Sequence, residues 1–457
     1  MSARSGDLAV ADPFDDRMVL QRGIPVPIWG AAAPGADVVV QFADQRASTR
    51  AESDGSWWVI LDPMPANAED RPLTVTSDAD EITVADVVVG DVWLTSGQSN
   101  MERSFYFDPA LAAQAHETDD PLLRLRIMTQ RPADVPQRDI EGSPWMRCTA
   151  EALRADNGRV RDVEDPNAVA PGFSAVSYAF GRRIRAEVGV PVGLVSASWG
   201  GTRIEAWTPP GASPDVPAPA TDEPHQQRSA LFQGMLAPWV GYGLSGALWY
   251  QGETNIMQGD GATYTDRTVA LVSAWRDAWA QGAFPFYFVQ LAPYTYENSL
   301  PEFWQAQLRA VAAVGNSGMA VTQDIGDWDD IHPLTKVPVG ERLARLALSR
   351  HYGVPTIDDS GPIFAGAKRE GSVVRCRFEF AESGLHSSDG EPLAGFELAA
   401  GGEFVPAQAE TIGNELFVRA DGVHHPSQVR FAWVTGQDTN VVNGAGLPMV
   451  AFSAAVE

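Results

Sequence analysis

The sequence of 457 residues predicts an α/β domain flanked on both sides by β-rich segments. Up to residue 85, short β-branched runs alternate with Pro, Gly and Asp, which is typical of a small sandwich or jelly roll. Between residues 86 and 355, apolar strands alternate with longer helical patterns, as in a mostly parallel sheet. From residue 356 to 457 the pattern returns to β. Three domains are therefore expected: 1–85, 86–355 and 356–457.

Period-two alternation and β-branched runs locate the strands of the two flanking domains. The N-terminal strands are predicted at Pro25–Trp29, Val38–Phe42, Gly55–Leu61 and Leu73–Thr76. The C-terminal strands are predicted at Arg375–Phe380, Glu415–Val418 and Gln428–Val434.

In the central domain, apolar runs and a helical period of three to four residues separate strands from helices. Strands are predicted at Val87–Leu94, Val192–Ala197, Gly246–Tyr250, Phe286–Leu291 and Met319–Thr322. Helices are predicted over Val176–Val188, over Val272–Trp279, and over Val339–Leu346 behind an N-cap at Thr335.

The composition excludes several classes of protein. A formal charge of −26 argues against nucleic acid or an anionic membrane as the main partner. No apolar stretch approaches the roughly 18 residues that span a bilayer. The acidic first twenty residues do not resemble a secretory signal, and only two cysteines are present, Cys148 and Cys376. Both observations lead us to expect a cytoplasmic protein, or a secreted one if a leader was removed. The oligomeric state is not indicated.

The first candidate for chemistry is Ser99, in the Gly-Gln-Ser-Asn run that follows the strand ending at Leu94. Gly97 allows a tight turn from strand to helix, and the amides at a helix start favour a developing oxyanion. The spacing differs from the Gly-x-Ser-x-Gly elbow of α/β-hydrolases. The alternative is that Ser99 only caps a helix.

Two further motifs also follow strands, and the carboxyl ends of strands are where open α/β sheets bind ligands. Gly200 and Gly201 follow the strand that ends at Ala197, and either amide is a candidate oxyanion donor. Gln251 follows Tyr250, and its side-chain amide can donate in the same way. Each motif alone is also compatible with an ordinary turn or a polar strand end.

The fourth motif contains His332, which has Asp329 and Asp330 three and two residues before it. A carboxylate so close can fix the imidazole tautomer and stabilise the imidazolium. Clustered aspartates also bind Ca²⁺, but the spacing does not fit an EF-hand.

Taken together, these motifs resemble the sialate O-acetylesterase-like branch of the SGNH/GDSL hydrolases. The resemblance covers nearly the whole chain, and its Gln-Gly-Glu (251–253) and Asp-Ile-His-Pro (330–333) elements are specific to that branch. It implies a flavodoxin-like three-layer α/β/α core between β modules, and no cofactor or metal.

The resemblance also implies roles for individual residues. Ser99 is the expected nucleophile and His332 the general base. The oxyanion hole would use the Ser99 amide, an amide of Gly200 or Gly201, and Gln251. SGNH enzymes place the supporting Asp three residues before His, whereas this branch places it two before, so Asp329 and Asp330 both stay open. The candidate substrate-binding residues are Asn100, Trp199, Arg203 and Glu253.

The expected reaction is hydrolysis of an O-acetyl ester on a mono- or oligosaccharide through an acyl-enzyme. Sialic acid would need a cation for its carboxylate, for which Arg203 is a candidate, whereas an acetylated xylo-oligosaccharide needs none. Tryptophans in or beside the motifs are candidates for stacking on a sugar or for core packing: Trp199, Trp207, Trp249 and Trp328. Two alternatives are a glycoside hydrolase using Glu205 and Glu253, and a non-catalytic carbohydrate-binding protein.

Overall fold

A computed structural model describes residues 8–78, 80–138, 143–155, 172–214, 222–355 and 358–457. The chain divides into two compact units, one of residues 1–251 and 270–286, the other of residues 252–269 and 287–457. The predicted division into three domains stays a prediction. Its first boundary falls inside a continuous strand, and residue 356 at its second boundary lies outside the described residues.

The first unit contains twelve strands and four complete α-helices within its described residues. The strands are β1 (Ala9–Val10), β2 (Val19–Gln21), β3 (Val26–Ala31), β4 (Asp37–Phe42), β5 (Gln45–Arg50), β6 (Ser56–Leu61), β7 (Asn67–Ser77), β8 (Asp80–Gly97), β9 (Asp119–Ile127), β10 (Met146–Thr149), β11 (Val192–Ser198) and β12 (Gly246–Tyr250). The helices are α1 (Ser99–Glu102), α2 (Pro109–Gln114), α3 (Ala175–Val188) and α4 (Ile204–Trp207).

Strand β8 organises this unit. Its first half pairs antiparallel with β7, and its second half pairs in parallel with β11 and β12. The strands run in the order β10-β9-β11-β8-β12, and β9 is also parallel to β11. The second half of β8 is fully buried, and Phe180 of α3 packs edge-on against Trp93 with ring centroids 5.0 Å apart. A parallel α/β layer is thus present where the sequence predicted it.

Strands β9 and β10 were not predicted from the sequence, because both contain arginine, a residue that is usually exposed to solvent. Arg124 of β9 is nevertheless only 2% exposed, since both its terminal nitrogens donate to Asp86 at 2.8 Å. Arg126 is 4% exposed and lies over the Trp239 ring, 5.3 Å from its centroid. Charge pairing and aromatic contact therefore allow a buried strand that carries cations.

The second unit contains the remaining helices and strands of the described chain. The helices are α5 (Glu253–Met257), α7 (Leu300–Val314) and α8 (Val337–Arg350), while α6 (Tyr264–Trp279) begins in this unit and ends in the first. The strands are β13 (Phe286–Val289), whose first residue belongs to the first unit, and β14 (Ser317–Ala320), β15 (Ile363–Glu370), β16 (Val373–Glu379), β17 (Leu385–Ser387), β18 (Phe396–Ala399), β19 (Val405–Pro406), β20 (Gln408–Ile412), β21 (Glu415–Arg419), β22 (Gln428–Phe431), β23 (Val441–Asn443) and β24 (Phe452–Ala455).

The C-terminal strands form antiparallel sheets, as the alternating pattern predicted. Two sheets have four strands each, in the orders β15-β16-β21-β20 and β19-β18-β22-β24, and β17 pairs with β23. The predicted N-cap at Thr335 is wrong. The cap of α8 is Lys336, and Pro338 lies in the first turn, where its missing N–H costs no hydrogen bond. Helix α7 was not predicted.

Candidate active site

The turn that carries Ser99 depends on Gly97, the last residue of β8. Gly97 has φ +141°, and a Cβ at this position would lie 2.0 Å from the Tyr250 carbonyl oxygen. That same oxygen accepts the Gln98 amide at 3.0 Å. Glycine is therefore required where β8 approaches the end of β12.

Ser99 is the first residue of α1, and the N-cap is Gln98. Ser99 consequently does not occupy the capping position that the alternative interpretation assigned to it. Its residue is 9% exposed, and the helix behind it has only four residues. Helix α1 can therefore stabilise an oxyanion through its N-terminal backbone amides, but it is too short to contribute a large helix dipole.

The glycine pair after β11 lies directly against the nucleophile turn. A Cβ built on Gly200 would be 3.2 Å from the Ser99 Cβ and 3.2 Å from the Glu102 carboxylate. The Gly200 amide donates to Glu102 Oε2 at 2.6 Å. Gly201 is exposed, with φ +71°. The structure thus distinguishes the two glycine amides that the sequence left equivalent.

Gln251 follows β12 and is fully buried. Its Nε2 donates to Gln98 Oε1 at 3.2 Å and to the Thr202 carbonyl at 3.0 Å. These bonds connect the loops that follow β8, β11 and β12. Since an amide nitrogen has two hydrogens, Gln251 must exchange one of these partners to donate to an oxyanion.

The structure also brings in Glu102, which sequence reasoning missed. Glu102 is 4% exposed, three residues after Ser99, and its Oε1 accepts from Gln130 Nε2 at 2.7 Å. The signal available in the sequence was an acidic residue directly after the Gly-Gln-Ser-Asn-Met run. Asn100, a predicted substrate-binding residue, is 1% exposed on the same helix.

Trp199 is half-buried, and one face of its indole is covered by His225. The two rings are stacked, with centroids 4.8 Å apart and planes 10° apart. Burial lowers the pKa of His225, and the nearby Glu223 carboxylate opposes this effect. Gln226 next to it accepts the Arg203 amide and donates to the Gly201 carbonyl at 2.5 Å. His225 and Gln226 therefore hold in place the loop that contains Gly200 and Gly201, which we call the glycine loop.

Arg203 does not present its charge to solvent. Its side chain is 3% exposed and its Nε lies 3.4 Å from Glu205 Oε2, on a side chain that is also 3% exposed. The charge of Arg203 is thus balanced inside the protein, and Glu205 is equally engaged. This pairing does not suit Glu205 as the free carboxyl of a glycosidase pair.

Two of the tryptophans considered for stacking belong to the core. Trp207 is fully buried, and its Nε1 donates to Thr202 Oγ1 at 3.0 Å. Trp249 is 1% exposed and packs edge-on against both Trp207 and Trp275. Neither indole offers a face to a sugar.

The histidine motif lies in the second unit, on the turn between β14 and α8. His332 is half-buried, and its backbone amide donates to Asp330 Oδ1 at 2.8 Å. The Asp329 amide donates to Asp327 Oδ1 at 2.9 Å, while Trp328 Nε1 donates to Asp438 at 3.0 Å. Asp330 therefore shapes the turn that carries His332. Asp329 and Asp330 are both exposed residues.

Glu253, also in the second unit, is the first residue of α5 and is 1% exposed. The described residues contain no group of three or more His, Cys, Asp and Glu side chains arranged to hold a metal ion. Nor does any described helix have the length and apolar character needed to cross a bilayer.

Comparison with known proteins identifies the family of the chain. Residues 89–349 match the family model described as carbohydrate esterase, sialic acid-specific acetylesterase. The chain belongs to this family. It is 31% identical to the sialate O-acetylesterase of Pongo abelii and 30% identical to that of Homo sapiens, in each case over 77% of this chain and 73% of the relative.

A solved structure extends the likeness to the whole fold. A carbohydrate acetylesterase of Xanthomonas citri is 32% identical, with a TM-score of 0.88 over 98% of this chain and 99% of that chain. The predicted fold class, an SGNH-type α/β core with flanking β modules, is thereby confirmed. The family comprises hydrolases that act on acetyl esters, so the expectation of an esterase is also confirmed.

Proposed function

We propose that this protein hydrolyses O-acetyl esters of sugars through a Ser-His-Asp acyl-enzyme mechanism. The observation that carries the proposal is Ser99, at the end of the central strand β8, in a turn that only glycine can make and against which Gly200 packs. His332 takes the Ser99 proton, Oγ attacks the acetyl carbonyl, and the sugar alcohol leaves with that proton. Water then releases acetate by the reverse route.

The oxyanion of each tetrahedral intermediate needs donors beside Ser99. We assign the Ser99 amide and an amide of the Gly200–Gly201 pair to this role. Gln251 is the third donor if it exchanges the bond to Gln98 or Thr202. Asn100 and Glu253 stay predicted substrate-binding residues in this proposal, and Trp199 would stack on a sugar with the indole face opposite His225.

The first experiment measures kcat and KM for 4-nitrophenyl acetate in Ser99→Ala and His332→Ala. Each variant should lose about 10⁴-fold or more in kcat with an unchanged melting curve. Asp329→Asn and Asp330→Asn should show which carboxylate belongs to the triad, because only the substitution of the triad member should lower kcat strongly. Near-normal turnover in Ser99→Ala would refute the mechanism.

We further propose that neutral acetylated sugars are better substrates than acetylated sialic acid. The Arg203 charge, the cation that the sequence offered for a sialate carboxylate, is paired with Glu205 inside the protein. Acetate release from acetylated xylo-oligosaccharides should therefore exceed release from O-acetylated sialic acid at equal concentration.

A double substitution separates substrate binding by Arg203 from its structural pairing. Arg203→Met with Glu205→Leu removes both charges of this pair together, so neither of the two is left buried without the other. The ratio of kcat/KM between the sialic acid and the xylo-oligosaccharide should stay within about twofold of the native ratio. A selective rise in KM for the sialic acid alone would show that Arg203 holds its carboxylate.

A further inference from the structure

A buried carboxylate beside the nucleophile is not used by the mechanism above. Glu102 lies on the same short helix as Ser99, and both of its carboxylate oxygens accept hydrogen bonds. The donor to Oε2 is the Gly200 amide at 2.6 Å, a residue 98 positions away in the chain. Hydrogen bonds to an ionised acceptor are short and about twice as strong as neutral ones.

The donor to the other oxygen extends the contact into a network. Gln130 Nε2 donates to Glu102 Oε1 at 2.7 Å and to the Ser198 carbonyl at 3.2 Å. Glu102, Gln130 and Ser198 are 4%, 9% and 3% exposed. Segments after β8, β9 and β11 thus meet at one buried carboxylate, within one compact unit.

We infer that Glu102 is a positioning residue, which fixes the glycine loop at a set distance from Ser99. Gly200 carries no side chain, so its own contribution to holding the loop at this point is made through its backbone, and the amide donates to Glu102. A Cβ on Gly200 would already be 3.2 Å from the Ser99 Cβ, so the loop backbone lies against the reacting residue. The inference rests on the proposed function, because the distance matters only if Ser99 reacts.

The position of Gly200 also fixes the position of its neighbour. With the Gly200 amide held by Glu102, the Gly201 amide becomes the donor of this pair that the oxyanion uses. The described contacts of Gly201 agree with this assignment, since Gln226 holds its carbonyl rather than its amide. Glu102 therefore contributes to catalysis without contacting the substrate.

The test compares Glu102→Leu and Glu102→Gln with the native enzyme on 4-nitrophenyl acetate. Leucine has no acceptor for the Gly200 amide, and a shift of about 1 Å at a reacting centre costs about 100-fold. We expect kcat to fall by about that factor with KM within about twofold. Glutamine keeps one acceptor oxygen, so kcat should recover to within about fivefold of the native value. The pH profile should not move, because Glu102 transfers no proton.

A fluorophosphonate that labels the active serine separates positioning from loss of structure. In Glu102→Leu, one phosphonate per chain should still bind, at a rate reduced by the same factor as kcat. Fewer labelled sites with an unchanged rate would mean a structural role only, and would overturn the inference. Asp91→Asn is the matched control, since Asp91 is an equally buried carboxylate bonded to Arg22 and Ser245, and its kcat should be native.

Two further variants keep the inference testable if Glu102→Leu does not fold. Gln130→Leu removes one arm of the network and should lower kcat by about 10-fold, which is less than the roughly 100-fold or more that a lost oxyanion donor costs, because Glu102 keeps its bond to the Gly200 amide. Native kcat and labelling rate in both Gln130→Leu and Glu102→Gln would overturn the inference. A native enzyme that is not labelled at Ser99 would instead refute the proposed function.

Discussion

Replacing Gly97 by alanine tests the geometry on which the nucleophile turn depends. The new Cβ would lie 2.0 Å from the Tyr250 carbonyl oxygen, whereas real Cβ atoms essentially never come within 3.0 Å of a neighbour. The ends of β8 and β12 must therefore separate by about 1 Å, a displacement that costs about 100-fold when it reaches reacting groups. The φ of +141° adds backbone strain for any residue with a Cβ.

The assay is kcat/KM for 4-nitrophenyl acetate, with thermal unfolding followed by circular dichroism. Gly97→Ala should lose about 100-fold in kcat/KM and about 2–5 kcal/mol of stability, from overpacking together with the strained φ. Gly189→Ala is the control, because Gly189 has φ +76° at the end of α3 and no atom within 4 Å of its Cβ position. It should lose only about 1 kcal/mol and keep native kcat/KM. Equal kcat/KM in the two variants would refute the reasoning.

Further predictions concern buried ionisable groups. Asp86→Ala leaves the Arg124 guanidinium buried without its partner and should cost about 3–5 kcal/mol, whereas Glu69→Ala in an exposed pair should leave the melting temperature unchanged. Burial alone would raise the pKa of Asp86, but hydrogen bonds from Arg124 hold it below its usual value. The ionised Asp86 carboxylate therefore stabilises the fold fully above the usual aspartate pKa. This stabilisation is lost as the pH falls through the lowered pKa of Asp86. Two results would contradict this: a native melting temperature that does not change with pH between the lowered and the usual pKa of Asp86, or a melting temperature of Asp86→Ala equal to that of the native enzyme. Burial also raises the pKa of Cys148 and Cys376 to about 12, so Ellman's reagent at pH 8 should label neither thiol until guanidinium unfolds the chain.

Local pattern was enough to locate the central strands and several helices. The strand at Gly246–Tyr250 has the predicted bounds, and α3 begins within one residue of the prediction, because apolar period and strand length are local properties. Strands β9 and β10 and helix α7 were missed. In β9 the burial of Arg124 depends on Asp86, 38 residues earlier, which no local window contains.

The residues expected to react could be proposed from the sequence because chemistry restricts which side chains can act as nucleophile, base and oxyanion donor. Ser99, His332 and their neighbouring motifs follow predicted strands, and the parallel sheet of the first unit brings the ends of β8, β11 and β12 together. Family membership confirms the class of reaction. The individual roles stay predictions for the variants described above.

The sequence by itself determined the α/β class, the order of the motifs and the residue types that an acetylesterase needs. Only the tertiary structure decided what the charged and polar neighbours of those motifs do. Arg203 pairs with Glu205 instead of facing a ligand, Gly200 donates to Glu102, and Gln251 ties three loops together. The physical reason is that the burial of a side chain and the partners it bonds to depend on which strand ends lie next to each other in the fold. The residues that flank it in the sequence do not contain this information.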